Sequence, residues 1–394
     1  MSTNKPQKRV VIVGGGPAGL MAATQLLASD CELILVDQKA SIGRKFLVAG
    51  DGGFNLTHSE PIKSFVEKYD SPWIKNAVAQ FTNTDFVAFL NAIGIPTMIG
   101  SSGKVFPEED TKPIQVLNAW KAHLGDRVNY HLGWKLEDFK EGIAHFSAEE
   151  KTHSLSYDYL VLCLGGKSWS VTGSDGTWET LLKSKEVPIV PFTSSNSGLE
   201  LYDNWLPEID GQIIKNVLVS CKGFSCHGDV VCTKYGLEGK PIYAVNRGVR
   251  QDERPAITID FKPQMQVDKI AQILKKAKTP TKGLKELKLS PVALFWLKTF
   301  VSKEAYNDSK KLTQNIKAFK LGIKGFRPID EVISTAGGVA IAAIDEFGEL
   351  QNQPKVFCAG EMIDWDAPTG GYLIQGCVSS GFVAGKRIAD QLKK

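Results

Sequence analysis

Residues 10–38 read VVIVGGGPAGLMAATQLLASDCELILVDQ. An apolar strand (Val10 to Val13) runs into a glycine turn, then a helix, then a second strand (Leu33 to Val36) that ends in an acid, Asp37. Gly14, Gly16 and Gly19 stand in G-x-G-x-x-G spacing. Such a turn needs one residue without Cβ for the reversal, a second where backbone approaches a pyrophosphate, and a third for close helix–strand contact. The free N–H groups at the helix start, aided by the helix dipole, then face phosphate. The motif alone marks many ordinary loops. With strand, helix, second strand and acid all in place, it reads as the phosphate grip of an adenine dinucleotide site.

Composition fits a soluble enzyme. A chain of 394 residues buries a large core and is expected to form two or three domains. No apolar run approaches the roughly 20 residues that span a bilayer. The opening MSTNKPQKR lacks the apolar stretch of a secretory leader, so the expected location is cytoplasmic. The seven cysteines are scattered, and only Cys221, Cys226 and Cys232 cluster, beside His227. Paired C-x2-C spacings are absent, so no metal site is expected and the thiols read as reduced. Asn55-Leu56-Thr57 has the form of a glycosylation sequon, a reading that lapses in a cytoplasmic protein.

The net charge of +4 conceals an asymmetry. Lys262 to Arg327 holds 16 Lys/Arg against 4 Asp/Glu, a net of +12, which leaves −8 for the remainder. Segments such as VDKIAQILKKA and SPVALFWLKTFV space apolar residues three and four apart, as helices do. The stretch reads either as a solvated lysine face or as a surface for a polyanion such as RNA. It contains no recognisable nucleic-acid motif.

Two further segments favour FAD over NAD. YDYLVLCLGG (157–166) is an apolar strand ending in the pair Gly165-Gly166. KVFCAGE (355–361) is a short strand delivering Gly360 and Glu361, an acid placed to bond a ribityl hydroxyl. It leads to APTGGYLIQGCVSSGFVAGKRIA, where a Thr-Gly-Gly turn opens a helix rich in small residues. The amino end of that helix would favour negative charge on a reduced flavin. No second G-x-G-x-x-G follows a strand, so NAD(P)H, if it is the donor, must dock transiently against the flavin; if it is not, dioxygen is the alternative acceptor. A G-x-S-x-G elbow is also absent, which removes a serine-hydrolase reading.

At these residues the chain resembles the YhiN-like or BaiN-type bacterial NAD(P)/FAD-dependent oxidoreductases. GGGPAGLMAA, GRKFLVAGDGGFNLTH, GKVFP, LGGKSWSVTGSDG, TKYGLEGKPIY, STAGGV and CAGEMIDWDAPTGGYLIQG all fall in the family's order, nearly end to end. One departure stands out: Gly53-Phe54 precede Asn55-Leu56-Thr57 where much of the family has Arg-Cys, so roles of that Arg or Cys do not carry over. The resemblance implies an α/β fold: a Rossmann-like FAD-binding domain of the two-dinucleotide-fold type, split as 1–190 and 327–394. A β-rich domain (191–262) and a small basic helical domain (263–326) would be inserted between the halves. KNVLVSCKG and GDVVCTKYG support the first independently, and STAGGVAIAAI marks the return.

The resemblance and the motifs together give an expected site. Gly14, Gly16, Pro17, Ala18 and Gly19 line the pyrophosphate, and Asp37 with Gln38 meets the adenosine ribose. Arg44 and Lys45 lie near the flavin or its phosphates, and Asn55 and Thr57 fix their loop. Trp134, in NYHLGWKLEDF, lies where backbone meets adenine, or else in core. Gly165, Gly166, Gly360 and Glu361 contact the cofactor, and Gly370, Gly371, Tyr372, Leu373 and Ile374 border the isoalloxazine. None of the six histidines falls in a cofactor segment, although His58 follows one. Catalytic candidates are Lys45, Tyr235 and Tyr372. The expected activity is hydride transfer between FAD and a small organic substrate, by C=C reduction or small-amine oxidation, with NAD(P)H as a donor. The alternatives are reduction of a uridine in ribosomal RNA, and a non-enzymatic FAD-bound redox sensor or scaffold.

Overall fold

The computed structural model describes residues 7–48, 54–108, 110–202 and 210–394; Gly53 of the family departure lies outside them. The chain divides into two compact units, one running to Thr193 and resuming at Ser334–Lys394, the other Ser194–Ile333.

The first unit is built on a five-stranded parallel sheet. Its order is Val356–Cys358, Tyr159–Leu162, Lys8–Val13, Cys31–Asp37, Val128–Leu132. The first strand is central, with Ile12 opposite Val161 on one side and Leu35 on the other. A central parallel strand is covered on both faces and so reads as a continuous apolar run. Val10, Val11 and Ile12 are completely buried, each worth about 1.5–3 kcal/mol of transfer free energy. The first helix, Pro17–Leu26, lies against the long C-terminal helix, Tyr372–Leu392. Small residues permit the contact: a Cβ on Gly381 would stand 2.1 Å from the carbonyl oxygen of Ala18. Between the fifth-strand position at Leu132 and the strand at Tyr159, an antiparallel ribbon (Lys135–Lys140, Ile143–Ala148, Lys151–Ser156) folds beside the sheet. Among the described residues, no helix is long and apolar enough to cross a membrane.

The second unit carries a seven-stranded sheet whose longest strands are Ile213–Cys221 and Phe224–Thr233, paired antiparallel. Helices Val267–Lys276, Pro280–Glu286, Pro291–Phe300 and Ser309–Lys317 share one buried cluster with that sheet. Trp296 is fully buried and stacks on Phe319 from the strand Phe319–Gly322, with ring centroids 5.9 Å apart. Ile270 and Leu274, one turn apart, point into this core, while Lys269, Lys275 and Lys276 on the same helix are exposed.

Candidate functional site

The glycine turn of the first unit has separable parts. Gly14 takes φ +106°, and a Cβ there would stand 2.1 Å from the carbonyl oxygen of Cys163, at the end of the neighbouring strand. Gly14 therefore serves the sheet. Gly16 differs: nothing lies within 4 Å of where its Cβ would be. It is the N-cap of the first helix and supplies no side-chain cap, so the first-turn amides are left for another acceptor.

That open side faces a cavity of about 610 Å³, within the range of small-molecule and cofactor sites. Its wall brings together Gly14, Gly16, Pro17, Ala18, Asp37, Gln38, Arg44, Lys45, Trp134, Gly165, Gly360 and Glu361, from six separate stretches of chain. All the sheet-derived pieces arrive at the carboxyl ends of parallel strands, where ligands of open α/β sheets bind.

Asp37 is committed before any ligand arrives. Its carboxylate accepts from the backbone N–H of Gly15 and from that of Lys39, both at 2.8 Å. Burial pushes its pKa up, and these two amide bonds oppose the shift. Asp37 thus braces the glycine turn as well as facing the cavity. Gln38 donates through Nε2 to the carbonyl of Gly173 at 2.6 Å. Trp134 pairs its backbone N–H with the Asp37 carbonyl at 3.0 Å, and its ring stacks on His153.

Lys45 and Glu361 meet at the cavity wall. The Lys45 ammonium donates to a Glu361 carboxylate oxygen at 2.7 Å and to the Ser168 hydroxyl at 2.8 Å. The other Glu361 oxygen accepts from the Thr335 amide at 3.1 Å. Gly166 sits against this group, since its Cβ would stand 2.3 Å from the Thr335 hydroxyl oxygen. Arg44 lines the cavity, is exposed, and makes no ion pair among the described residues.

The remaining expected residues are off this wall. Gly19 faces the Gly14 carbonyl instead. Thr57 is fully buried and donates to Gln375 at 2.8 Å; Asn55, two residues earlier, is half-buried. Gly371 lies tight against Thr57 backbone, which fixes the start of the C-terminal helix beside the short strand Thr57–His58. Gly370 borders Lys104 and the Tyr372 ring, and Leu373 and Ile374 pack into the core on either side. Tyr372 is buried, its phenol bonded to Glu60, and burial with that bond holds it far above the ordinary tyrosine range. Tyr235 belongs to the second unit, with its hydroxyl on Glu238 and the Arg327 guanidinium 4.0 Å from its ring centre.

The wall also includes residues that sequence reasoning passed over: Asp138, Thr172, Gly173, Ser174, Asp175, Thr177 and Lys185. The signal for Thr172 to Asp175 was the second half of LGGKSWSVTGSDG, a glycine-punctuated loop after a core strand. Two thiols, Cys163 and Cys377, reach the wall as well. Burial drives both upward, Cys377 to about 12, so neither is a thiolate at neutral pH. No cluster of three His, Cys, Asp or Glu with metal-binding geometry occurs among the described residues.

The donor set fits the adenosine diphosphate part of an adenine dinucleotide: uncapped helix amides and an arginine with no ion pair among the described residues for pyrophosphate, and a carboxylate for ribose. Comparison with known proteins agrees. The model of the HI0933-like protein Rossmann domain matches residues 8–387. A 3-dehydro-bile acid delta(4,6)-reductase of Clostridium scindens is 23% identical over 97% of this chain and 99% of its own length. A ribosomal RNA dihydrouridine synthase of Haemophilus influenzae is also 23% identical, over 97% of this chain and 98% of its own. Among solved structures, a flavocytochrome c3 fumarate reductase aligns with all of this chain and 80% of its own, with TM-score 0.53 and 14% identity.

Proposed function

The chain belongs to the HI0933-like family of FAD-dependent Rossmann oxidoreductases, and from that premise we propose that it binds FAD non-covalently and passes a hydride between the flavin and a small organic substrate. One observation carries the reading: a cavity in which the amide end of the first helix, Arg44, Asp37 and the Lys45–Glu361 pair converge. The first-turn amides and Arg44 neutralise the pyrophosphate, and Asp37 accepts from the ribose. Glu361, held by Lys45 and the Thr335 amide, presents oxygen lone pairs to the ribityl chain. Gly165 and Gly360 would let backbone come close to the cofactor. Bound there, the isoalloxazine supplies the hydride step itself, so the protein's part is orientation and charge.

The favoured direction is reduction of an activated C=C bond, supported by the activity named for the Clostridium scindens relative. Small-amine oxidation is the opposite direction at the same site. The test mixes FAD-loaded protein anaerobically with NADH, NADPH and a set of small amines and follows flavin bleaching. Bleaching by a nicotinamide, followed by reoxidation with an α,β-unsaturated ketone, is expected. Bleaching by amines alone would reverse the direction. Failure of every donor would favour a redox sensor, and a protein that takes up no FAD would end the flavin reading.

A second reading, uridine reduction in ribosomal RNA, draws on the full-length likeness to the Haemophilus influenzae synthase. It also draws on the exposed lysines of the second unit. It requires RNA binding that weakens steeply with salt, since each phosphate contact releases a counterion. Salt-insensitive or absent binding counts against it.

A further inference from the structure

The second unit holds a smaller concavity of about 190 Å³. Phe261 and Leu289 form part of its wall, and Lys215, Lys262, Lys288 and Ser290 supply its polar groups. No carboxylate is among the described residues that line it. An acid beside Lys262 is already engaged: Asp260 accepts the Lys262 backbone N–H at 2.8 Å and pairs with Lys317 at 2.7 Å. The Lys262 ammonium instead donates to the carbonyl of Lys288 at 3.1 Å, which leaves two of its three donors. Burial lowers the Lys262 pKa, and the neighbouring charge of Lys288 lowers it further. Ser290 caps the helix Pro291–Phe300 by accepting from the Ala293 amide at 3.2 Å, so its own proton is left to donate.

The backbone around this concavity is held in uncommon conformations. Lys288 takes φ +53°, and so does Asn216, which lies in a register break between Ile214 and Val217 next to Lys215. A bulge of this kind redirects side chains, and left-handed non-glycine residues concentrate at functional sites. Gathering cations without an acid is unfavourable unless an anion completes the set.

We propose that this concavity binds a phosphate-type oxyanion, held by Lys215, Lys262 and Lys288 with the Ser290 hydroxyl. The space is small beside the roughly 300–1,000 Å³ that drug-sized ligands occupy, so the site takes a phosphoryl group and not a whole nucleotide. That group can come from a phosphorylated small molecule or from the backbone of RNA. The site does not depend on flavin chemistry.

Full-length protein with saturating FAD, whose presence fills the pyrophosphate cradle, is titrated calorimetrically with inorganic phosphate at low ionic strength. Saturable one-site binding is expected, weakened at least tenfold in Lys262→Met and in Lys288→Met, restored in Lys262→Arg, and unchanged in Lys298→Met. Lys298 is exposed on the helix Pro291–Phe300 and is not among the residues lining the concavity. Absence of phosphate binding, or full binding in both methionine variants with unaltered melting temperatures, overturns the proposal. Where phosphate binds, an oligouridylate that competes with it assigns the source to RNA backbone. An oligouridylate that does not compete assigns it to a small phosphorylated ligand.

Discussion

The Lys45 ammonium lies 2.7 Å from a carboxylate oxygen of Glu361, joining residues 316 positions apart at one wall of the cavity. Neither charge is freely solvated: their side chains are 27% and 13% exposed. Each therefore depends on the other, and a lost partner leaves a charge-assisted bond unmade at roughly 1.5–3 kcal/mol. Lys45→Met and Glu361→Gln should each weaken FAD binding about tenfold or more, read by quenching of flavin fluorescence. Equal affinity in both variants would remove the pair from the cofactor site.

Two glycines of one turn should fail in different ways. Gly14→Ala places a methyl 2.1 Å from backbone oxygen at φ +106°, so it should cost at least about 2–3 kcal/mol of stability. In a unit of this size that is a melting drop of roughly 5–10 °C. Gly16→Ala has open space and ordinary φ, so its melting temperature without FAD should stay within about 2 °C of the parent. Its methyl points toward the cavity side of the turn, and FAD affinity should fall sharply. Thermal melts of the FAD-free variants beside FAD titrations separate the two.

This division explains how far the sequence could be read. The G-x-G-x-x-G spacing gives the βαβ unit because strand, turn and helix are local in sequence. The parallel sheet follows from apolar runs at Val10–Val13, Tyr159–Leu162 and Val356–Cys358, since a strand covered on both faces shows no polar alternation. What stayed hidden depends on partners distant in the chain. That Asp37 braces the Gly15 amide, that Glu361 is taken by Lys45, and that the Tyr372 phenol is bound to Glu60 are facts of tertiary pairing. No spacing rule encodes them. The wall at Thr172–Asp175 was passed over because a polar glycine loop looks the same whether it lines a cofactor or solvent.

Asp37 gives a pH signature in the FAD-free protein. Burial raises its folded pKa above the ordinary value of about 3.9. Well below that value the group is protonated in both states and contributes no pH dependence. As pH rises, the unfolded chain loses the proton first, so the folded state holds more protons and stability falls. The fall ends once pH passes the folded pKa, and the cost then persists at neutral pH. Asp37→Asn should flatten this segment of the stability profile in urea melts, while losing FAD affinity at pH 7 through the missing acceptor. An unchanged profile would show that the carboxyl is not desolvated as the fold implies.

In the second unit, Trp296 tests whether the helices and the sheet stand or fall together. It is fully buried, lies in the helix Pro291–Phe300 and stacks on Phe319 of a sheet strand, within a cluster that also takes Ile270, Ile316, Val219 and Ile259. Truncation to alanine removes a large buried surface and leaves a cavity, at about 3–5 kcal/mol. Lys298→Ala, two residues on and exposed, should change stability by less than about 0.5 kcal/mol. If helices and sheet share one cooperative core, Trp296→Ala should expose the sheet strands and the lysine-rich helices to amide exchange together. Exchange that rises only in residues 267–317 would mean that the helical layer opens alone. Among the described residues, the cavity proposed for FAD is lined by the first unit alone, so FAD stoichiometry should hold in this variant under native conditions.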